Sequence, residues 1–260
     1  MARDEVFVKP TVKEVHFEIR FPNLFYMESK IGDLQVRIME KFPESKLILQ
    51  HQVLLADTGL GGKIQPPPDL GDSEAVSKIW SFKSGTGVEV VVRSNSLGIV
   101  SRKHKTYSNP SSEEKFRDMV EFVVSNFIGV TAIPVIKRIG LRYIDECPIL
   151  KMNNIEFQEW YNTTFPLTRF NLCDAREMAF QTTVRRGEYF LRFSEALTKK
   201  NEPYILVLDF DGFAEEIKPM LYLEVTDNLH SLISDEYALS IKEPVRAFMR
   251  QPKIGTNGQI

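Results

Sequence analysis

The stretch Val15-His16-Phe17-Glu18-Ile19-Arg20-Phe21 alternates apolar and polar residues without a break. Side chains of an extended chain switch faces at every residue, so Val15, Phe17, Ile19 and Phe21 share one side and His16, Glu18 and Arg20 the other. That is a half-buried strand, and Pro22 stops it. Directly afterwards Ile31, Leu34, Ile38 and Phe42 recur at spacings of three and four. This stripe predicts an amphipathic helix ending at Pro43.

The same two periods continue outward from this pair. Lys46 to Leu55 reads as a strand with an apolar centre. From Asp57 to Lys78, Gly59, Gly61, Gly62, Pro66, Pro67, Pro68 and Gly71 sit among polar residues, which predicts a mobile loop over 57–78. Strands resume at Ile79 to Lys83, and Val88 to Arg93 and Leu97 to Arg102 flank a turn at Ser94-Asn95-Ser96. Ser111-x-x-Glu114 has the pattern of a capping box, ahead of a helix buried through Phe116, Met119, Val120, Val123 and Phe127 and ending at Gly129. In Val135 to Asp145, Ile139, Leu141 and Tyr143 project one way, and Arg138, Gly140 and Arg142 the other.

Later, Glu177 to Val184 and Tyr189 to Phe193 flank a turn-like Arg185-Arg186-Gly187-Glu188, and Tyr204 to Phe210 forms an apolar strand. A long helix is predicted from near Pro219, burying Leu221, Val225, Leu229, Leu232 and Ile233. Ser240-x-x-Glu243 with Pro244 starts a last helix reaching about Arg250. Strands joined by short turns imply an α+β fold, mainly antiparallel, with helices packed on one face. The strand–strand–strand–helix runs at Trp80–Phe127 and Glu177–Ser240 point to two similar halves, 1–150 and 151–250, followed by a flexible tail over 251–260.

Composition narrows the class. The 260 residues include 33 Lys+Arg against 35 Asp+Glu, a formal net charge of −2, with 43% hydrophobic and 26% charged residues. This is an ordinary globular balance, large enough to bury a core unaided, and it excludes a strongly basic, histone-like nucleic-acid binder. The charged start, Met1-Ala2-Arg3-Asp4-Glu5, argues against a secretory signal, and no apolar run approaches the ~18 residues of a membrane helix. Cys147 and Cys173 form no CxxC pair and read as reduced thiols. A cytoplasmic protein with no membrane association is expected.

Few residues carry a chemical signal. Gly59-Leu60-Gly61-Gly62-Lys63-Ile64 lacks the spacing and the Ser/Thr of a phosphate loop, so it reads as a flexible glycine loop. Asp209 and Asp211 share a strand face, and with Glu215 they are weak candidates for a hard cation, which needs more oxygen ligands than two carboxylates. His16, His51, His104 and His230 show no metal-ligand spacing. No serine or cysteine sits in an activating context, so no catalytic residue is assigned.

The basic residues carry more. Arg138 and Arg142 lie on one strand face with Gly140 between them, and Arg20 lies on the solvent side of its strand. These three are anion-binding candidates, since guanidinium forks match phosphate and carboxylate. Arg185 and Arg186, at their turn, are partner-binding candidates. The competing account pairs each arginine with a neighbouring carboxylate on a solvated sheet. Aromatics on the same face would favour single-stranded nucleic acid, but Phe17 and Tyr143 project to the core side.

Taken in order, Glu14-Val15-His16-Phe17-Glu18-Ile19-Arg20-Phe21, Trp80-Ser81-Phe82, Arg138-Ile139-Gly140-Leu141-Arg142-Tyr143-Ile144-Asp145, Leu208-Asp209-Phe210-Asp211 and Leu229-His230 resemble a sporadically distributed family of uncharacterised prokaryotic proteins of about this length. The likeness spans roughly residues 13 to 250, and Arg-Ile-Gly-Leu-Arg-Tyr is its most specific string. Asp145 stands where the family pattern usually has Asn. The resemblance implies a bacterial or archaeal protein built as one unit and brings no catalytic residues. The patchy occurrence implies an accessory role, including in defence systems of the CRISPR-associated kind. The expectation is therefore a non-enzymatic protein that docks onto another protein encoded nearby, without a cofactor. The alternatives are a nucleic-acid or nucleotide binder using the sheet arginines, and a metal-dependent hydrolase around Asp209, Asp211 and Glu215.

Overall fold

The opening alternation becomes β1 (Val12–Arg20), with Val15, Phe17 and Ile19 almost completely buried. The computed structural model describes residues 7–51, 76–149, 153–199 and 204–252. The other strands are β2 (Glu44–His51), β3 (Val76–Lys83), β4 (Val88–Arg93), β5 (Ser96–Ser101), β6 (Ile136–Cys147), β7 (Glu177–Arg186), β8 (Tyr189–Lys199) and β9 (Tyr204–Ile217). They form one open, nine-stranded sheet in the order β2-β3-β4-β5-β1-β6-β9-β8-β7, antiparallel at every neighbouring pair. The predicted fold class, an α+β chain with an antiparallel sheet, is the one observed.

The described residues form five α-helices, α1 (Met27–Ile38), α2 (Phe116–Ile128), α3 (Asn154–Trp160), α4 (Tyr222–Ser240) and α5 (Glu243–Arg250). The stripes read from sequence are their buried faces: Ile31, Leu34 and Ile38 on α1, Phe116, Val120, Val123 and Phe127 on α2, Val225, Leu229 and Ile233 on α4. These residues join the inward side chains of the strands in one continuous apolar core. α4 closes tightly on β9 because Gly212 has no side chain. A Cβ there would stand 3.3 Å from Ile233 and 3.6 Å from Leu229.

The chain order explains the sheet order. β3, β4 and β5 fold as successive hairpins and lay β5 beside β1; β7, β8 and β9 do the same and lay β9 beside β6. β1 and β6 then meet in the middle, so residues before and after 150 build a single sheet.

Several local expectations need correction. Ser111 and Glu114 do not cap α2: its N-cap is Lys115, with no side-chain bond, and Glu114 instead pairs with Lys103. Ser240 is the last residue of α4 and donates to the Glu236 carbonyl, so Lys242 precedes α5, with Pro244 in its first turn as expected. Leu221 precedes α4 in a short 3₁₀ turn and is 39% exposed. The mobile loop predicted over 57–78 lies largely outside the described residues, but Val76 to Lys78 belong to β3. Most of the predicted tail, 253–260, also lies outside them. α3 carried no sequence signal of its own; the Asn153 side chain caps it by accepting from the Glu156 amide.

Candidate functional site

With the helices on one face, the other is left open, and the register decides what it carries. Glu18 on β1 lies opposite Gly140 on β6, which lies opposite Phe213 on β9, then Phe190 on β8. One row along, His16, Arg142, Asp211 and Arg192 line up across the same four strands. The predicted Arg20, Arg138, Arg142, Asp209 and Asp211 are thereby brought onto one surface. A trough of about 460 Å³ runs over it, bordered by Arg20, Arg93, Arg138, Arg142 and Arg192 with Glu18 and Asp211.

Three of these arginines are already paired. Arg142 donates through Nε (2.8 Å) and Nη2 (2.5 Å) to the two oxygens of Asp209, a bidentate fork that raises the arginine pKa further still. Arg138 Nη2 donates to both oxygens of Asp211 at 2.9 and 2.8 Å, and its Nη1 lies 3.5 Å from Glu18. Arg20 Nε donates to Glu18 at 2.8 Å. The result is a connected line of alternating charge, Arg20–Glu18–Arg138–Asp211, beside the separate Arg142–Asp209 pair. The account in which arginines meet neighbouring carboxylates describes these three residues.

Gly140 is the floor of this arrangement. A Cβ at that position would sit 2.5 Å from Arg138 Nη1, so the glycine lets the guanidinium lie flat across β6. On the far side the guanidinium stacks over Phe213, 4.6 Å from its centre, and Phe213 stacks on Phe190 at 5.2 Å. The open face therefore does carry aromatics. Phe213 lies beyond the apolar strand read as ending at Phe210, since β9 continues to Ile217, and Phe190 lies within the Tyr189 to Phe193 strand, to which the sequence assigned no face.

Other predicted residues fall elsewhere. Arg185 and Arg186 are strand residues on opposite faces, with the turn at Gly187 and Glu188. Arg185 Nε donates to the Gly187 carbonyl, while Arg186 crosses to Glu236 on α4 at 2.6 Å. Their side chains therefore leave the strand on opposite sides. Glu215 is exposed, opposite Arg138 in register but outside its ion pairs. Asp209 and Asp211 are occupied by guanidinium groups, and among the described residues no three His, Cys, Asp or Glu side chains converge on one point. Neither Arg93 nor Arg192 has an ion-pair partner among the described residues, so the trough retains uncompensated positive charge.

His104 and His230 are packing residues, whereas His16 lies on the open face beside Glu14 at 2.9 Å. His104, held to Ser101 at 2.7 Å, is buried, and that burial pushes its pKa down. His230 stacks on Tyr107 at 4.3 Å. No described helix is long and apolar enough to cross a membrane. No family model, curated protein or solved structure matches the chain.

Proposed function

We propose that the chain is a docking protein, without catalysis of its own, that binds another protein across the open face of its sheet. One observation carries this reading: a broad surface bearing charges of both signs, fixed in place by hydrogen-bonded pairs and backed by a rigid sheet. A surface that is already ordered loses little side-chain entropy when a partner covers it. Alternating charge favours a partner of complementary pattern, since like-charge contacts exclude others. The β2 edge adds a second element. Among the described residues β2 pairs only with β3 and exposes Leu47, Ile48 and Leu49, an edge suited to an added strand. A prokaryotic accessory system, with the partner encoded nearby, remains the setting that the family resemblance implies.

A second reading has its own support. Arg93 and Arg192 lack carboxylate partners, and the Phe190–Phe213 pair lies on the same face, the combination by which single strands are held through charge and stacking. The variant Arg192→Glu/Arg142→Glu separates the two. Binding of a co-purifying protein should weaken at least tenfold with modest salt dependence. If an oligonucleotide is the ligand, affinity for single-stranded DNA should show a steep salt slope that this variant flattens. Unchanged binding of both would dismiss the open face as the site.

A further inference from the structure

The helix-covered side of the sheet holds an acid that the open face does not explain. Period two along β6 places Asp145 beyond Leu141 and Tyr143 on the core side, and it is 2% exposed. Its Oδ1 accepts from Thr11 Oγ1 at 2.7 Å, and Thr11 in turn accepts from the Tyr237 hydroxyl at 2.7 Å. Among the described residues Oδ2 has no hydrogen-bond partner. Every buried side-chain oxygen and nitrogen among the described residues is hydrogen-bonded, so Oδ2 must reach open volume. That volume is a cavity of about 150 Å³ between β6, the start of β1, the 105–109 loop and α4.

Its lining is mostly apolar and aromatic, with Tyr107, Tyr143 and Tyr237 around the acid. Lys105 at the rim donates to the Val12 carbonyl at 2.6 Å and acts on Asp145 through its charge, without a hydrogen bond to it. A buried carboxylate with one neutral donor and an unused oxygen is under-compensated. Tyrosine rings attract cations through their electron-rich faces. A cavity near this size admits a benzene-sized body.

We propose that this cavity is a binding site for a compact organic ammonium ion, whose N–H donates to Asp145 Oδ2 and whose carbon body lies among Tyr107, Tyr143 and Tyr237. An anion would meet the acid head-on, and a neutral ligand would leave its charge unanswered. The site is independent of docking on the open face and does not rest on that reading.

Protonation sets a second signature. Burial pushes Asp145 up to about 7, with Asp209 adding to the rise and Thr11 and Lys105 opposing it. The titratable groups near it on the covered face are Lys105 from the loop after β5, Tyr143 and Cys147 on β6, Glu195 on β8, and His230 and Tyr237 from α4, while Asp209 acts on it from the opposite face of the sheet. Binding of a cation requires the carboxylate, so affinity falls as pH is lowered from 8 to 5.5.

Calorimetric titration of the full chain at pH 8 with benzylammonium chloride, benzyl alcohol and sodium benzoate tests the site. Benzylammonium should bind at least tenfold more tightly than either control. Asp145→Asn, which keeps the Thr11 hydrogen bond, should lose at least tenfold. Lys105→Met, an exposed change at the rim, should tighten binding. Absence of benzylammonium binding, equal binding of benzyl alcohol, preference for benzoate, or an unaffected Asp145→Asn protein with native circular dichroism would each overturn the proposal.

Discussion

The two faces of the sheet handle negative charge in opposite ways. On the open face Asp209 and Asp211 sit in water-accessible forks with Arg142 and Arg138. On the covered face Asp145 and Glu195 are both 2% exposed and are met by neutral donors. They occupy one row, on either side of Leu208. Glu195 accepts from Thr163 Oγ1, the Thr164 amide and Thr164 Oγ1 at 2.6–2.8 Å, pinning the chain after α3. Asp145 accepts from Thr11 alone. The comparison teaches that burial by itself does not define a site. Glu195 is a structural anchor because its oxygens are satisfied, while Asp145 is available because one of them is not.

The largest expected effect lies at the anchor. Glu195→Ala removes three hydrogen bonds to a buried carboxylate, each worth roughly 1.5–3 kcal/mol, and although water can reach the exposed Thr164, urea unfolding should show a loss of about 3 kcal/mol. A loss under ~1 kcal/mol would mean that water reaches this row and that the two acids do not differ.

Asp145→Asn should act in the other direction. The folded carboxyl keeps its proton up to about pH 7, whereas an unfolded aspartate releases it near 4. Between those values the folded chain holds the extra proton, so Asp145 lowers stability as pH rises through this window. The amide removes that dependence. Thermal melts at pH 8 should show the variant more stable, by on the order of 2–3 kcal/mol, with the difference vanishing by pH 4. Equal slopes with pH in both proteins would place the titration elsewhere.

On the open face the effects are smaller. Arg138→Met breaks a pair whose side chains are 18% and 15% exposed, and should cost about 1–2 kcal/mol. Arg142→Met, at 44% exposure, should cost below ~1 kcal/mol and shrink further in 0.5 M salt. Reversal of that order would show that depth does not govern these pairs. Gly140→Ala should change stability least, within about 1 kcal/mol, because the guanidinium tip can swing away. It should nevertheless perturb the Arg138 and Phe213 resonances and weaken partner binding.

Much of this was legible in the residues. The period of two in β1 and β6 assigned faces correctly, and the stripe at Ile31, Leu34 and Ile38 located α1, because burial of one side leaves a regular imprint. The placement of Arg20, Arg138 and Arg142 on one face with a glycine between two of them followed from the same rule. The pairing of those arginines did not, since it depends on β9 lying beside β6, a contact between residues some seventy positions apart. Helix starts failed for a related reason: Ser111 and Glu114 fit a local capping pattern, but the contact with Lys103 directs Glu114 elsewhere. Asp145 shares the parity of Tyr143, but no role was read for it in the sequence, because its hydrogen bond comes from Thr11, more than a hundred residues away in the chain and brought alongside by the pairing of β1 with β6.

The most direct test of the proposal that the open face is the working surface is to purify the chain together with the products of its neighbouring genes and to compare, by calorimetry, the affinity of a co-purifying protein for the native chain and for Arg142→Glu/Arg192→Glu. The docking account predicts at least tenfold weaker binding by the variant, with native circular dichroism at the temperature of the assay. Equal affinity in a folded variant would contradict it and move the interface off the sheet.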